Sequence, residues 1–171
     1  MARLDAEQTR RRACSDNSAM SEITQHAAAT EQEPDAADAT PFEQLGGEAG
    51  VRALADRFYD LMDLEPRFAA LRAMHPPDLE SSRDKLHWFL CGWLGGPPLY
   101  EQRFGHPRLR MRHFPYAIGA RERDDWLACM QQALVDLQLA EPVQARLRAA
   151  FAGTADWMRN QPDSAAPDTA A

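Results

Sequence analysis

The sequence predicts an all-α protein with one folded domain, and two observations support that prediction. Between residues 41 and 162 the apolar side chains recur every three or four positions, and nowhere do they alternate with the period of two that marks a half-buried strand. Prolines and glycine pairs interrupt the pattern and divide it into separate helices. At 171 residues and 44% hydrophobic content, the chain suffices for one domain of ordinary size.

The two ends differ from this middle part in composition. Residues 1–40 contain no aromatic side chain and are predicted to be a disordered extension, because they cannot bury enough apolar surface to offset chain entropy. A disordered tail is predicted over residues 161–171. The net charge of −7 lies mostly in these ends, since residues 41–162 carry 15 basic and 16 acidic side chains. Neither nucleic acid nor a membrane is therefore predicted as a partner.

The cysteines and the hydropathy indicate a cytoplasmic protein. Cys14, Cys91 and Cys129 are scattered and form no CxxC pair, which favours free thiols in a reducing compartment. No apolar run reaches the roughly 18–20 residues that span a bilayer, and the N-terminus has no apolar signal core.

The first long helix is predicted after Gly46-Gly47 and ends at Pro66. Its apolar face has helical spacing and consists of Val51, Leu54, Ala55, Phe58, Leu61 and Met62. A short helical turn is predicted over residues 68–74, and His75-Pro76-Pro77 stops it.

Three further long helices follow. Asp78 is expected to cap the second, whose apolar residues run from Leu86 to Leu94 and which ends at Gly95-Gly96-Pro97-Pro98. Residues 99–106 show no period and are predicted to be an ordered loop. The third helix is predicted from about Ala120, and Pro142 is expected to open the fourth at its favoured early position.

A short basic helix that carries His113 is predicted between residues 99–106 and the third long helix. Pro107 suits its first turn, and Pro115 forces Phe114 out of the α region, so His113 sits at a fixed helix end. Leu109 and Arg110 lie four and three residues earlier and share its face. One apolar and one cationic neighbour suit a metal ligand beside an anionic, apolar cofactor, although an isolated histidine near a helix end is more often simply capped.

Aromatic side chains with polar tips lie on or beside the apolar faces. Tyr59, His75 and Trp126 are the three. Apolar residues at helical spacing are usually the plain core of a bundle. Buried Tyr and Trp side chains need hydrogen-bond partners, however, so the three together favour a polar object inside the core.

Five segments carry a resemblance to a known family. They are FEQLGG at 42–47, RFY at 57–59, WLGGP at 93–97, GHPRLRMRHFPY at 105–116 and ERDDWLACM at 122–130. In this order they resemble the group II truncated haemoglobins over residues 41–160. The resemblance implies a two-over-two helical sandwich that holds haem b without a covalent bond.

The resemblance also implies residue roles. His113 matches the proximal histidine that binds the iron, Trp126 the distal tryptophan, and Tyr59 the tyrosine of the family's second helix. Ser82 falls at the distal gate one turn before Leu86, and Phe89, like Leu86, would lie against the porphyrin. Arg110, on the face of His113, is the candidate partner of a haem propionate.

His75 departs from the aromatic residue that many members of the family carry at this position. Three roles are open for it. The ring donates a hydrogen bond to a bound ligand, coordinates the iron as a sixth ligand, or packs against the haem edge.

The function that follows is reversible binding of O2, and of CO and NO, at a histidine-ligated iron that faces hydrogen-bond donors. An alternative is a haem enzyme with peroxidase or nitric oxide dioxygenase activity. That alternative needs a separate reductase, because the sequence has no GxGxxG after a strand. A haem-free helical interaction module is the third possibility.

Overall fold

The computed structural model describes residues 39–162, which contain α-helices, one short 3₁₀ turn and no strand. The all-α prediction is therefore confirmed. The helices are α1 (Pro41–Gln44), α2 (Gly47–Leu64), α3 (Ala69–Ala73), α4 (Glu80–Trp93), α5 (Leu99–Phe104), α6 (Leu109–His113), α7 (Ala120–Asp136) and α8 (Glu141–Met158), with the 3₁₀ turn at Pro66–Phe68. The predicted extension and tail fall almost entirely on residues 1–38 and 163–171, outside the described residues, and stay predictions.

The four long helices pack as two pairs. α2 lies against α4, α7 lies against α8, and α2 also packs on α7, so the two pairs are in contact. The fully buried side chains between them come from all four helices and include Leu54, Phe58, Leu90, Met130, Leu134 and Leu147. This is the two-over-two arrangement that the resemblance implies, and most of its stabilisation comes from burying these apolar faces.

A capping box fixes the start of the folded part. The backbone N–H of Glu43 donates to Thr40 Oγ1 at 3.2 Å, and the Thr40 N–H donates to the Glu43 carboxylate at 2.8 Å. Helix α1 is joined to the end of α4 because the Phe42 N–H donates to the Leu94 carbonyl at 3.0 Å. Gly50 permits the turn between α1 and α2, since a Cβ there would lie 1.7 Å from the Leu45 carbonyl oxygen.

Two of the predicted boundaries are wrong. Residues 99–106 were expected to be a loop, but Leu99–Phe104 forms α5. The cap position of α4 is occupied by Leu79 and not by Asp78. The Asp78 carboxylate accepts instead from the Glu80 N–H at 3.0 Å. Helix α5 was missed because a helix of six residues is too short to show a period. Asp78 lies one position before the cap of α4 and still accepts from a free N–H at the helix start.

The start of α6 also differs from the prediction. Pro107 was expected in its first turn, but the helix begins at Leu109, after Arg108 adopts a left-handed conformation with φ of 44°. Pro107 therefore lies before the cap, and α6 is a single turn that ends at His113. The expectation that Pro115 forces Phe114 out of the α region is also wrong, because Phe114 has helical angles, with φ of −56° and ψ of −34°. The position of α6 depends on contacts with the rest of the protein, because one isolated turn of helix is unstable.

Cys91 and Cys129 are free and buried. Burial raises the pKa of Cys129 to about 12 and that of Cys91 to about 11, so both remain thiols at neutral pH. No helix within residues 39–162 combines the length and the apolar character needed to cross a membrane. The cytoplasmic location stays a prediction.

Candidate functional site

A cavity of about 360 Å³ opens between the two helix pairs and α6. Its volume is within the range of small-molecule and cofactor sites. Most of its wall is apolar, and the apolar lining includes Leu71, Leu86, Phe89, Leu90, Trp93, Leu109, Phe151 and Met158. The polar lining is small and comes from α2, α4, α5, α6, α7 and α8 and from the segments after α3 and α6.

The cavity brings together seven of the eight site residues that the sequence predicts. They are Tyr59, His75, Ser82, Leu86, Phe89, His113 and Trp126, which lie up to 67 positions apart in the chain. Arg110 does not line the cavity. One cavity therefore contains every residue for which a role in the site is predicted, except Arg110.

His113 is half-buried, and its ring is oriented by a backbone bond. Its Nδ1 lies 2.7 Å from the Leu109 carbonyl oxygen. A carbonyl only accepts, so Nδ1 carries the proton, and the neutral ring keeps a lone pair on Nε2. A backbone partner on one nitrogen is the usual arrangement around a metal-binding histidine.

Asn160 supports the end of α6 from the far side. Its amide nitrogen donates to the His113 carbonyl at 3.2 Å and to the Tyr116 carbonyl at 2.8 Å. The same residue accepts from the Ile118 N–H at 3.0 Å, which joins the end of α8 to the start of α7. His113 is therefore held through three chain segments, although α6 itself has no buried residue.

The cation at the cavity is not the one that the sequence predicts. The Arg110 guanidinium turns away and donates to the Trp157 carbonyl. Arg112 lines the cavity instead, with its Nε donating to the Pro107 carbonyl at 3.0 Å. Lys85 of α4 is a second cation in the lining, and within residues 39–162 neither Lys85 nor Arg112 has a carboxylate within 4.0 Å.

A pattern in the sequence points to Lys85 but not to Arg112. Lys85, the one lysine of the chain, lies three residues after Ser82 and four before Phe89, so it shares the helix face of two predicted site residues. Arg112 adjoins His113 in sequence, and neighbouring residues on a helix do not share a face. Arg112 reaches the cavity because α6 is one turn long and the Arg112 guanidinium donates to the Pro107 carbonyl just before the helix.

Tyr59 supplies a protonated phenol. The side chain is 6% exposed, and burial raises the pKa of its hydroxyl to about 12, while a hydrogen bond with Ser82 acts in the opposite direction. The ring also meets His75 edge to face, with 5.8 Å between ring centres. At neutral pH the hydroxyl of Tyr59 is therefore a donor.

Trp126 supplies a donor that the protein does not use. Its ring packs 5.4 Å from Phe58 and 5.7 Å from Phe151, between ring centres, so the indole is fixed by aromatic contacts. Among residues 39–162 the indole N–H has no acceptor, although the residue lines the cavity. It is therefore free to donate to a molecule placed there.

His75 carries its proton on the nitrogen that faces the backbone. Nδ1 lies 3.0 Å from the Leu71 carbonyl oxygen, so it donates there and Nε2 holds a lone pair. Burial lowers the pKa of the ring, which favours this neutral form. The ring also borders a second cleft of about 450 Å³ on the outer surface. In this state His75 can accept a hydrogen bond or coordinate a metal, but it has no free N–H to donate.

This donor set fits a haem. No group of three or more His, Cys, Asp or Glu within residues 39–162 is placed to hold a metal ion, so an iron at His113 needs its other ligands from a macrocycle. Apolar walls suit the macrocycle, and the unpaired Lys85 and Arg112 suit its anionic propionates.

The comparisons with known proteins agree with this geometry. Residues 40–160 match the family model described as bacterial-like globin. A group 2 truncated haemoglobin of Bacillus subtilis is 36% identical over 124 residues, which cover 72% of this chain and 91% of that protein.

Two solved structures extend the comparison. The cold-adapted truncated haemoglobin of Pseudoalteromonas haloplanktis is 44% identical, with a TM-score of 0.69 over 72% of this chain and 99% of its own. A truncated oxygen-avid haemoglobin from Bacillus subtilis is 36% identical, with a TM-score of 0.66 over 71% of this chain and all of its own.

Proposed function

This chain belongs to the bacterial-like globin family and is a group II truncated haemoglobin, and we propose that it binds O2 reversibly, as well as CO and NO, at the iron of a haem b. The family implies a haem cofactor. When bound, that group supplies a ferrous iron with one open position for a diatomic ligand. Neither Cys91 nor Cys129 lines the cavity, which supports noncovalent attachment.

His113 carries the proposal. Its Nδ1 donates to the Leu109 carbonyl, so the Nε2 lone pair is available, and the residue lines an apolar cavity large enough for a cofactor. We assign the iron to this nitrogen. Lys85 and Arg112 are assigned to the propionates because both are cationic, line the same cavity and have no carboxylate partner within residues 39–162.

Trp126 and Tyr59 are the proposed donors to the bound ligand. The indole N–H of Trp126 has no acceptor within residues 39–162, and the Tyr59 hydroxyl stays protonated at neutral pH. A ligand that gains negative charge on binding is stabilised by such donors. If each contributes roughly 1–1.5 kcal/mol, O2 release slows by about a hundredfold relative to an apolar pocket. The oxygen avidity stated for the Bacillus subtilis relative supports this assignment.

His75 is proposed to act through its lone pair or its packing. Donation to the ligand, one of the three roles derived from the sequence, would require a second proton, because Nδ1–H is engaged by the Leu71 carbonyl. The lowered pKa of the ring opposes that protonation at neutral pH. We therefore favour packing or coordination of the iron over donation.

The visible spectrum of the purified protein tests the proposal. We expect a Soret band in the ferric and ferrous forms, and separate shifts when the ferrous form meets O2 and CO. Pyridine extraction should release haem b. A protein that stays colourless after reconstitution with haem would contradict the proposal and favour a haem-free helical module.

A further inference from the structure

Exposed apolar side chains concentrate around α6, and one of them, Tyr116, also lines the cavity. Seven large apolar side chains are exposed within residues 39–162, and four of them lie on α6, just after it, or at the end of α8: Met111, Phe114, Tyr116 and Trp157. Single exposed apolar residues are ordinary on a protein surface, but a contiguous group indicates a contact site for another molecule.

Arg110 connects two of these side chains. Its guanidinium carbon lies 5.7 Å from the ring centre of Phe114 and 5.6 Å from that of Trp157, and it donates to the Trp157 carbonyl. Arg108, also exposed, opens the helix. We call the surface formed by Arg108, Arg110, Met111, Phe114, Tyr116 and Trp157 the α6 face. Aromatic residues, Met and Arg are the types enriched in protein interfaces.

The α6 face is positively charged in an acidic protein. Residues 102–121 contain five arginines and no acidic residue, whereas the rest of the chain has 14 basic and 26 acidic residues. Within residues 39–162, Arg108 and Arg110 have no carboxylate within 4.0 Å, although Arg83 and Arg123 elsewhere are paired. The positive charge of this face is therefore not neutralised by the protein itself.

We propose that the α6 face docks an acidic electron-transfer protein that reduces the haem. This inference rests on the proposed function, because the electron acceptor is the ferric iron. The flavin or iron–sulfur group of the partner loses one electron and the ferric iron becomes ferrous, with no proton or leaving group transferred. The haem-enzyme alternative requires such an external donor.

The position of the face supports an electron-transfer partner. Phe114 directly follows His113, the proposed iron ligand, and Arg110 lies on the same helical turn. A partner on this face would therefore lie over the helix that carries the proposed iron ligand. Charged rims of this kind raise association rates at low salt.

The chemistry of the face favours a protein over the other anionic partners. Membrane-surface binding generally uses a long amphipathic helix rich in basic residues, and α6 has only five residues. Nucleic-acid binding generally uses a strongly basic domain, whereas residues 41–162 carry 15 basic and 16 acidic side chains. A small basic and aromatic surface is typical of transient complexes between proteins.

Binding of two acidic probes tests the proposal directly. A [2Fe–2S] ferredoxin and a flavodoxin are titrated into the full-length protein at about 0.01 M and about 1 M ionic strength, where the Debye length is about 30 and about 3 Å. We expect binding of at least one probe at low salt and a loss of about tenfold in affinity with Arg110→Glu. Arg108→Asp should act similarly, since Asp tolerates the left-handed conformation at that position.

Arg67→Glu is the matched control. Arg67 also lies over an aromatic ring, with 4.5 Å between its guanidinium carbon and the ring centre of Phe68, but it belongs to the 3₁₀ turn before α3. We expect it to change affinity by less than about twofold, and the difference between the variants to vanish at high salt. Reduction of the ferric protein by each photoreduced probe should follow the same order.

Four results would overturn the inference. The first is that neither probe binds at low salt, and the second is that Arg67→Glu lowers the affinity as much as Arg110→Glu does. The third is that the protein binds phosphatidylglycerol vesicles more tightly than either probe and that this binding depends on Arg110. The fourth is that the wild type self-associates and Arg110→Glu abolishes the self-association. Failure of the proposed function is seen separately, because a protein without haem lacks a Soret band while its probe binding can still be measured.

Discussion

The two polar parts of the cavity are built in different ways. Tyr59 and Trp126 lie on α2 and α7, helices of 18 and 17 residues whose apolar faces form the core. His113 lies on α6, which has five residues and no buried side chain. Hydrogen bonds from Asn160 and a few contacts with α8 hold α6 in place.

This difference separates the side chains that core packing holds in place from the side chain that lies on a weakly packed helix. The donors of α2 and α7 are fixed by core packing, so they are in place before any ligand arrives. The α6 wall has few buried contacts of its own, and segments of that kind open locally at low free energy. We therefore expect changes at His113 to affect haem retention, and changes at Trp126 to affect the ligand but not the haem.

The largest effect is expected at His113. His113→Ala removes the one side chain assigned to the iron, so haem transfer to an acceptor protein should accelerate by at least about a hundredfold, beyond the 10–100-fold that changes around a metal ligand cost. The exposed His106→Gln, on the segment before α6, is the matched control and should leave the transfer rate unchanged, because the Gln amide oxygen can still accept from the Arg108 N–H. Equal rates in both variants would assign the iron to another residue.

The next largest effect is expected at Trp126. Trp126→Phe keeps most of the apolar volume but deletes a charge-assisted hydrogen bond worth ~1.5–3 kcal/mol, so O2 release should accelerate by roughly ten- to over a hundredfold. CO gains little negative charge, and its release should change much less. Tyr59→Phe should act more weakly, because its hydroxyl also bonds with Ser82. Stopped-flow release of both gases decides this, and equal acceleration of both would mean that Trp126 only fills space.

A smaller effect is expected from the cations at the cavity. Lys85→Ala and Arg112→Ala should each speed haem loss by about three- to tenfold, as expected for partly exposed ion pairs of about 1 kcal/mol. Arg110→Ala is the control, because its guanidinium bonds to the Trp157 carbonyl outside the cavity. Faster haem loss in Arg110→Ala alone would restore the assignment that the sequence suggested.

The smallest effect concerns the pH dependence of stability. His87 is buried with neither ring nitrogen hydrogen-bonded within residues 39–162, and burial lowers the pKa of its ring while the Glu48 carboxylate acts in the opposite direction. The unfolded chain therefore binds this proton more readily. The contribution of neutral His87 to the free energy of unfolding is complete above about pH 6.5 and falls as the pH drops below that value.

His87→Leu tests this contribution. It should raise the free energy of unfolding by about 1 kcal/mol, because it removes an unsatisfied buried polar group, and it should flatten the pH profile below 6.5. Chemical denaturation between pH 5 and 8 measures both, and an unaltered slope in His87→Leu would refute the effect.

The sequence predicts the long elements far better than the short ones. The apolar faces of α2, α4, α7 and α8 each span several turns, so their period and boundaries show in the sequence. Helices α5 and α6 have six and five residues, which is too few for a period. Their positions depend on contacts with distant parts of the chain, such as the bonds from Asn160 to α6.

The same difference in helix length explains which of the predicted site residues line the cavity and why Arg110 does not. Residues on long helices, such as Tyr59 and Trp126, line the cavity because helical spacing determines their face. Arg110 was expected beside His113 from the same spacing, yet α6 is a single turn next to the end of α8, and the long side chain of Arg110 donates to the Trp157 carbonyl instead. Arg112 takes its place through a backbone bond to Pro107, which no spacing rule predicts.

The identity of the iron ligand is tested most directly by resonance Raman spectroscopy of the ferrous, ligand-free protein. We predict an iron–imidazole stretching band that shifts when histidine is labelled with ¹⁵N, disappears in His113→Gly, and returns when imidazole is added to that variant. A band that persists in His113→Gly without added imidazole would contradict the assignment of the iron to His113 and would make His75, the other histidine of the cavity, the first candidate.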